Sequence, residues 1–421
     1  MYNIIDKYFI LWSFFIPATT LTISSQIPGS LVSYVFAVIS PIIVFFTEKK
    51  IRGKYFFTLI LMLSIFVFLT CISQLFNEIN NITLQGLFLL SNESLTEKVF
   101  RTSLITQSLY LIIGFLMFIY SKFFYNEKWD KWIVYSGVFF AAYGLYEFIL
   151  FLTCGINGDF LSNRNYTQTG GAPLIAQDFV VSGIAIKRID SLAMEPSMFA
   201  FTLLPYVIFS YYKCKKNFSI FLGIVMLLST STTAYLGVFV IMIYNLFFNK
   251  NILKNKKILI SILFIVGITY VVLYKYIYDV MEIMIINKLM PIVDFDGSVN
   301  LAGAGSGMER LSNIFNSIDY WCSLDIMHML FGIGFGVHRS TDLFGTFLVN
   351  IGIIGSIIFF IINFRYFKIK NKSKLDDMNN LIILTMYIIM MVSVPEYSFL
   401  SYWLFLGIVY NINSEVNKNY R

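Results

Sequence analysis

An arginine, an aspartate and a glutamate lie close together at the start of an apolar run, in the stretch RIDSLAMEPSMFAF. If this stretch is helical, Arg188, Ser191 and Glu195 share one face. Alternatively, Glu195 precedes a helix that begins at Pro196, a favoured first position. Asp190 is the remaining ionisable candidate. Because such groups are costly beside a membrane span unless they pair or line a wet cavity, the stretch predicts either a functional site or an ion pair that pins the span.

A second chemical signal is the glycine-rich sequence GAGSG, which Arg310 follows closely. The apolar spacing in MERLSNIFNSIDYW predicts a helix whose first turn contains this arginine. Backbone N–H groups at a helix start attract anions, and a guanidinium adds a planar fork suited to phosphate oxygens. The sequence therefore predicts an anion site around Arg310, with a glycine hinge and a solvated arginine as the alternative.

Four further charged residues are weaker candidates. Arg164 and Arg339 lie in predicted loops, where they are either solvated charges or ligands for acidic sugar or phosphate. Glu147 and Glu396 lie in or beside apolar runs. Since carboxylates at such positions usually find a partner, internal pairing is the favoured interpretation of both, and substrate contact is the alternative.

The composition is that of a polytopic membrane protein. Hydrophobic residues make up 57% of the chain and charged residues 13%, whereas soluble domains carry about 25% charged residues. The net charge of +7 does not indicate nucleic-acid binding, because the basic residues are spread over short turns and form no patch interleaved with aromatics. The four cysteines have no CxxC or Cys/His spacing, so no metal site is expected.

The apolar runs predict an all-α bundle, a single transmembrane domain over residues 1–421 with about twelve spans. If the spans alternate from a cytoplasmic start, 22 of the 31 lysines and arginines fall on the inner side, and both termini are cytoplasmic. Two spans are short and share the polar sequence STSTT. The predicted spans are residues 8–24, 29–47, 55–76, 102–121, 132–153, 191–212, 218–232, 233–248, 258–277, 343–364, 380–395 and 397–412.

Three connections on the predicted outer face are long: residues 77–101, 154–190 and 278–342. Long loops in compact proteins are usually functional or disordered. The second contains Arg164 and Arg188, and the third contains Arg310, so both are expected to form the functional face of the bundle.

These residues resemble a known family, the O-antigen polymerases (Wzy), and more distantly the O-antigen ligases. The resemblance rests on RIDSLAMEPSMFA, on LLSTSTTAYLG, on GSGMERL, and on FGIGFG followed by FLVNIGIIG. It covers most of residues 152–360. The order of these motifs along the chain and their placement outside the membrane make the combination fairly specific.

The resemblance implies an inverting glycosyltransferase with a GT-C-like architecture in the bacterial inner membrane, whose loops 154–190 and 278–342 face the periplasm. It would transfer a growing glycan from undecaprenyl pyrophosphate to the next lipid-linked repeat unit, without a metal or other cofactor. Arg188 and Arg310 would bind the departing pyrophosphate, and Glu195 would orient or deprotonate the acceptor hydroxyl. The implied partners are the lipid-linked oligosaccharide, membrane lipids and a chain-length regulator (Wzz-type).

The sequence departs from the ligases at a histidine that they carry shortly before a glycine-containing span. Thr341 and Asp342 occupy the corresponding positions here, and His338 lies one helical turn earlier. This favours a polymerase over a ligase and leaves Glu195 and His338 as alternative general bases. The other histidine, His328, is expected to be packed and structural. A secondary transporter or flippase is the remaining alternative, but it predicts internal repeats and midplane charges, which the sequence does not show.

Overall fold

The computed structural model of the chain describes residues 3–248 and 306–414, with short gaps. The side chains of residues 178–186 and 306–311 also lie outside the described part. The predicted span at 258–277 falls outside it, as do residues 278–305 of the third outer loop. The short gaps are residues 26, 28, 81, 83, 85–86, 91–94, 96–99, 165–177, 182–183 and 370–372.

The described chain is a bundle of α-helices with one antiparallel hairpin, β1 (Asp178–Val181) and β2 (Ile184–Lys187), which the sequence did not predict. The helices are α1 (Ile4–Ser13), α2 (Val32–Phe45), α3 (Lys49–Ile79), α4 (Thr102–Phe124), α5 (Asp130–Cys154), α6 (Pro196–Lys213), α7 (Lys216–Leu228), α8 (Thr232–Phe248), α9 (Ser306–Cys322), α10 (Ile326–Phe331), α11 (Leu343–Phe364), α12 (Lys374–Val392) and α13 (Leu400–Asn413). Five described segments, containing α3, α4, α5, α11 and α12, are long and apolar enough to cross a membrane. The prediction of a helical membrane protein is thereby confirmed.

Helices α4 and α13 pack together closely in the core of the bundle. A Cβ at Gly114 of α4 would lie 2.2 Å from the indole Nε1 of Trp403, and one at Gly407 of α13 would lie 1.8 Å from Ser121 Oγ. Small residues let helix backbones approach closely inside membranes. By contrast, only 6% of the residues in the apolar 18-residue stretch of α3 are buried, so α3 lies at the periphery.

The prediction of one helical span over residues 8–24 is wrong. Helix α1 ends at Ser13, because Pro17 cannot donate a helical hydrogen bond and disfavours a helical conformation at the residue before it. The segment that follows bonds instead to the RIDSLAME stretch, where the Thr19 amide donates to the Leu192 carbonyl at 2.8 Å. A non-helical segment thus reaches the candidate site described below.

Of the two interpretations of the RIDSLAME stretch, the one in which Glu195 precedes a helix beginning at Pro196 is confirmed. Glu195 has an extended backbone and takes the N-cap position, and α6 begins at Pro196. A continuous helix is excluded because Ser191 and Met194 have positive φ angles of 49° and 69°, which L-residues in a helix do not adopt. The Glu195 side chain therefore projects from the end of α6.

The STSTT sequence joins two short helices, as predicted. Helix α7 ends at Leu228 and α8 begins at Thr232, and between them Thr230 has a φ of 50°. With 13 residues, α7 is about 20 Å long, which is shorter than the roughly 30 Å hydrocarbon layer. The polar turn between the two helices contacts Arg188, as described below.

Helix α11 is broken at Gly352, where φ is 63° and ψ is −168°. The break frees carbonyl groups in the preceding turn. The Val349 carbonyl accepts a hydrogen bond from the Ile333 amide at 2.9 Å, and the Asn350 carbonyl accepts one from the Gly334 amide at 3.1 Å. The FGIGFG loop therefore completes the hydrogen bonding of the interrupted helix. The φ of 123° at Gly334 explains why a glycine occupies this position of the loop.

Candidate functional site

Two adjoining cavities lie among the loops that connect the helix ends, and charged residues line both. The first, which we call the arginine chamber, has a volume of about 210 Å³, and the second, the carboxylate chamber, about 430 Å³. Met198, Arg339 and Glu396 line both chambers. The arginine chamber is also lined by Thr19, Tyr34, Arg164, His338 and Asn350, and the carboxylate chamber by Glu195, Ser197, Asn313, Thr341 and Ser393.

An ion pair between Arg339 and Glu396 lies at the boundary of the two chambers. Nη2 of Arg339 contacts Oε1 of Glu396, and the second carboxylate oxygen accepts a hydrogen bond from Ser398 Oγ at 3.2 Å. The Arg339 side chain is 45% exposed and that of Glu396 only 10%. The internal pairing predicted for Glu396 is confirmed, and Arg339, predicted as a loop charge, is paired within the cleft.

Arg164 reaches the arginine chamber from the loop that follows α5. Its Nη1 donates to the Thr19 carbonyl at 3.0 Å. The side chain of the preceding residue, Asn163, accepts from the Thr22 amide at 2.8 Å and donates to the Thr22 carbonyl at 2.7 Å. The non-helical segment after α1 therefore fixes this loop and places Arg164 at the chamber.

His338 lines the arginine chamber, but protein atoms surround its ring. The residue is 3% exposed, its Nδ1 lies 3.1 Å from the Phe88 carbonyl oxygen, and its Nε2 lies 3.2 Å from Ser317 Oγ. A carbonyl only accepts hydrogen bonds, which places a proton on Nδ1. Burial lowers the pKa of His338 below its ordinary value, and the hydrogen bond to Phe88 opposes this only in part. Both ring nitrogens are thus engaged by protein atoms.

Glu195 lines the carboxylate chamber from the N-terminus of α6. Its Oε2 accepts a hydrogen bond from Ser197 Oγ at 3.2 Å, and its backbone carbonyl accepts one from the Phe199 amide at 2.9 Å. The carboxylate therefore sits at the positive end of the helix dipole. A carboxylate in this position can accept a proton from a hydroxyl group bound in the chamber.

A buried charge cluster anchors the segment between β2 and α6. Lys187 Nζ lies 3.3 Å from Glu147 Oε2 and 3.4 Å from Asp190 Oδ1, and Lys187 and Glu147 are 3% and 1% exposed. Burial opposes the charge on Lys187, but the two carboxylates outweigh this effect and raise its pKa. Ser191 Oγ donates to the Phe140 carbonyl at 2.8 Å. Asp190 and Ser191 thus fix the backbone, and the internal pairing predicted for Glu147 is confirmed.

Arg188 lies in the anchored segment, but its guanidinium binds the turn between α7 and α8. Its Nη2 donates to the Thr230 carbonyl at 3.1 Å. Its Nε lies 3.2 Å from Thr230 Oγ1 and 3.4 Å from the Ser229 carbonyl oxygen. It lines neither of the two chambers. Arg310 belongs to α9, as predicted, but its side chain lies outside the described part of the chain, so the predicted Arg188 and Arg310 clamp stays a prediction.

Comparison of the chain with protein-family models, curated proteins and solved structures found no match. The function of the chain therefore has to be inferred from the geometry of the two chambers and from the motifs of the sequence.

Sequence reasoning did not single out Asn350, whose side chain binds the backbone of His338 on both sides. A signal was present, because a lone asparagine in the apolar run FLVNIGIIG has to find polar partners inside the bundle. The predicted role of His328 is confirmed. This residue is fully buried, with Asp325 at one ring nitrogen and Asn77 at the other.

Proposed function

We propose that the protein is an O-antigen polymerase, which transfers a growing glycan from undecaprenyl pyrophosphate to the next lipid-linked repeat unit. One observation carries the proposal. A chamber lined by two arginines adjoins a chamber lined by a carboxylate at the helix ends. A polymerase of this type needs an anion site for its donor and a proton acceptor for its second substrate, side by side.

In the proposed reaction, the acceptor hydroxyl oxygen attacks the anomeric carbon of the donor. The bond from this carbon to the diphosphate oxygen breaks, and the hydroxyl proton passes to Glu195. Negative charge grows on the leaving diphosphate, and guanidinium groups stabilise it without a metal ion. Arg188 and Arg310 are the residues that the family resemblance proposes for this role, although Arg188 lines neither chamber.

The geometry favours Glu195 over His338 as the base. Glu195 lines the larger chamber, and among the described residues its carboxylate accepts one side-chain hydrogen bond, from Ser197. Both ring nitrogens of His338 face protein atoms, so a substrate hydroxyl would have to displace one of them. We propose that His338 instead holds the wall of the arginine chamber.

The proposed membrane arrangement follows from the same function. We propose about twelve spans, a GT-C-like architecture and both termini in the cytoplasm of a bacterium, which places the two chambers on the periplasmic side. Lipid-linked oligosaccharide then enters from the outer leaflet. A chain-length regulator is the proposed protein partner.

The test uses purified full-length protein in lipid nanodiscs. The substrate is the lipid-linked repeat unit that accumulates in a strain lacking this gene. A polymerase produces a ladder of products spaced by one repeat unit. A single product on lipid A would identify a ligase, and movement of the unmodified substrate between leaflets would identify a flippase; either result would replace the proposal.

A further inference from the structure

Arg164 and Arg339 come together from distant parts of the chain. Arg164 follows α5 and Arg339 precedes α11, yet both line the chamber of about 210 Å³. Among the described residues that line this chamber, two guanidinium groups face one carboxylate, and the excess positive charge favours binding of an anion. Glu396 is the charged partner that the structure shows for one of them.

Arg164 is held in position before any ligand binds. Its contact with the Thr19 carbonyl, at 3.0 Å, and the pairing of Asn163 with Thr22 attach its loop to the segment after α1. A guanidinium has five N–H donors, so the contact with Thr19 is compatible with a bound anion. Arg164 therefore provides a pre-positioned cation.

Arg339 and Glu396 differ in how firmly they are held. Glu396 is nearly buried, and Ser398 binds its second oxygen at 3.2 Å. Arg339 is 45% exposed at the chamber wall, so its side chain can turn while the carboxylate stays. An anion with two phosphoryl groups offers Arg339 a stronger partner than a single carboxylate.

We propose that Arg164 and Arg339 bind the diphosphate of the lipid-linked donor, and that Glu396 holds Arg339 at the chamber until the donor displaces it. This proposal rests on the proposed polymerase function. It assigns the diphosphate to a pair of arginines other than Arg188 and Arg310. Release of Glu396 then leaves a carboxylate facing the second chamber at the time when the acceptor binds.

A binding experiment separates this proposal from its alternatives. The probes are geranylgeranyl diphosphate and geranylgeranyl monophosphate, titrated into full-length protein in nanodiscs. We expect tighter binding of the diphosphate. Arg164→Gln and Arg339→Gln should each weaken diphosphate binding at least about tenfold, as expected for loss of a charge-assisted contact. Their binding of the monophosphate should fall less.

Glu396→Gln should change diphosphate binding in the opposite direction to the two arginine variants. The amide keeps the shape of the side chain but loses its charge, so Arg339 is released and the diphosphate should bind about three to tenfold more tightly. If Glu396→Gln weakens binding as much as Arg339→Gln does, the ion pair is structural and the proposal fails. The proposal also fails if neither arginine variant changes diphosphate binding while Arg188→Gln abolishes it.

The outcomes for the two proposals can be told apart. Protein that binds the diphosphate through Arg164 and Arg339 but builds no ladder refutes the polymerase and leaves the binding site standing. Protein that builds a ladder while both variants bind the diphosphate normally refutes the binding site alone. Gel filtration and thermal unfolding of every variant show whether it is folded.

Discussion

The side-chain amide of Asn350 forms two hydrogen bonds with the backbone of His338. Its Oδ1 accepts from the His338 amide at 2.8 Å, and its Nδ2 donates to the His338 carbonyl at 2.7 Å. Asn350 thus provides the two hydrogen bonds that a neighbouring β-strand would provide to the backbone of His338. Because Arg339 is the next residue, this pairing sets the position from which the arginine enters the cleft.

Replacing Asn350 by leucine should reduce stability and substrate binding together. The change leaves two buried backbone groups of His338 without partners, which costs about 2–4 kcal/mol of unfolding free energy. Thermal unfolding in detergent measures the loss. Asn245→Leu is the matched control, because within the described part of the chain the Asn245 side chain bonds to Ile241 of its own helix. Equal effects of the two changes would contradict a special role of Asn350.

Replacing Lys187 by methionine should be strongly destabilising. The buried Glu147 carboxylate loses its cation, and breaking such a pair costs about 3–5 kcal/mol. The double change Lys187→Met with Glu147→Leu should restore the part of this loss that Glu147 causes, while Asp190, which is 19% exposed, still lacks its cation. Lys368→Met is the control, because Lys368 is 44% exposed in its pair with Asp376 and should contribute about 1 kcal/mol or less. A double variant as unstable as the single one would refute the argument.

Glu195→Gln should lower kcat of polymerisation by about 10²- to 10⁴-fold with little effect on donor KM, the range for loss of a general base. His338→Gln should have a smaller effect, because both ring nitrogens of His338 face protein atoms. Rates of ladder formation under single-turnover conditions provide the comparison. The reverse order of effects would transfer the role of base to His338.

Arg188→Lys tests whether the geometry of the guanidinium matters. Lysine keeps the charge but cannot contact Thr230 and Ser229 or a phosphate through two prongs. We expect polymerisation to fall about 10- to 100-fold in Arg188→Lys and further in Arg188→Ala. Thr230→Val removes one partner of Arg188 and separates the two effects. If Thr230→Val reproduces the loss of activity, Arg188 acts by holding the turn between α7 and α8. Full activity of Arg188→Lys would exclude both this role and binding of a phosphate through two prongs.

The lowered pKa of His338 predicts a dependence of stability on pH. Below about pH 6.5, imidazole in an unfolded chain binds a proton, whereas the folded chain binds it only at lower pH. Stability should therefore fall as the pH falls through about 6.5, by up to about 1.4 kcal/mol per pH unit. Thermal unfolding of the wild type and of His338→Gln, from about pH 8 to about pH 5, measures this. Identical slopes for both proteins would argue against it.

Local sequence signals predicted the helices better than the contacts between them. The span predicted at 343–364 coincides with α11, because Asp342 caps the helix by accepting from the Gly345 amide and a predominantly apolar run follows. The end of α1 was missed, although Pro17 is a local signal that could have revealed it. In both cases the deciding interaction lies within a few residues along the chain.

Partners distant along the chain could not be predicted. The sequence indicated that Glu147 and Glu396 need partners, but Lys187 and Arg339 lie 40 and 57 residues away from them. Many tertiary arrangements satisfy the same need for pairing. Arg164 and Arg339 line one chamber because several loops meet there. No local sequence pattern encodes how these loops meet.

The break in α11 at Gly352 affects the biogenesis of the protein. Carbonyl groups freed inside a bilayer have no water to bind, so an interrupted helix needs a protein partner as it enters the membrane. The FGIGFG loop precedes α11 in the chain and leaves the ribosome first, so its amides are present when this helix leaves the translocon. A chain in which this loop is disrupted is therefore expected to insert α11 less readily.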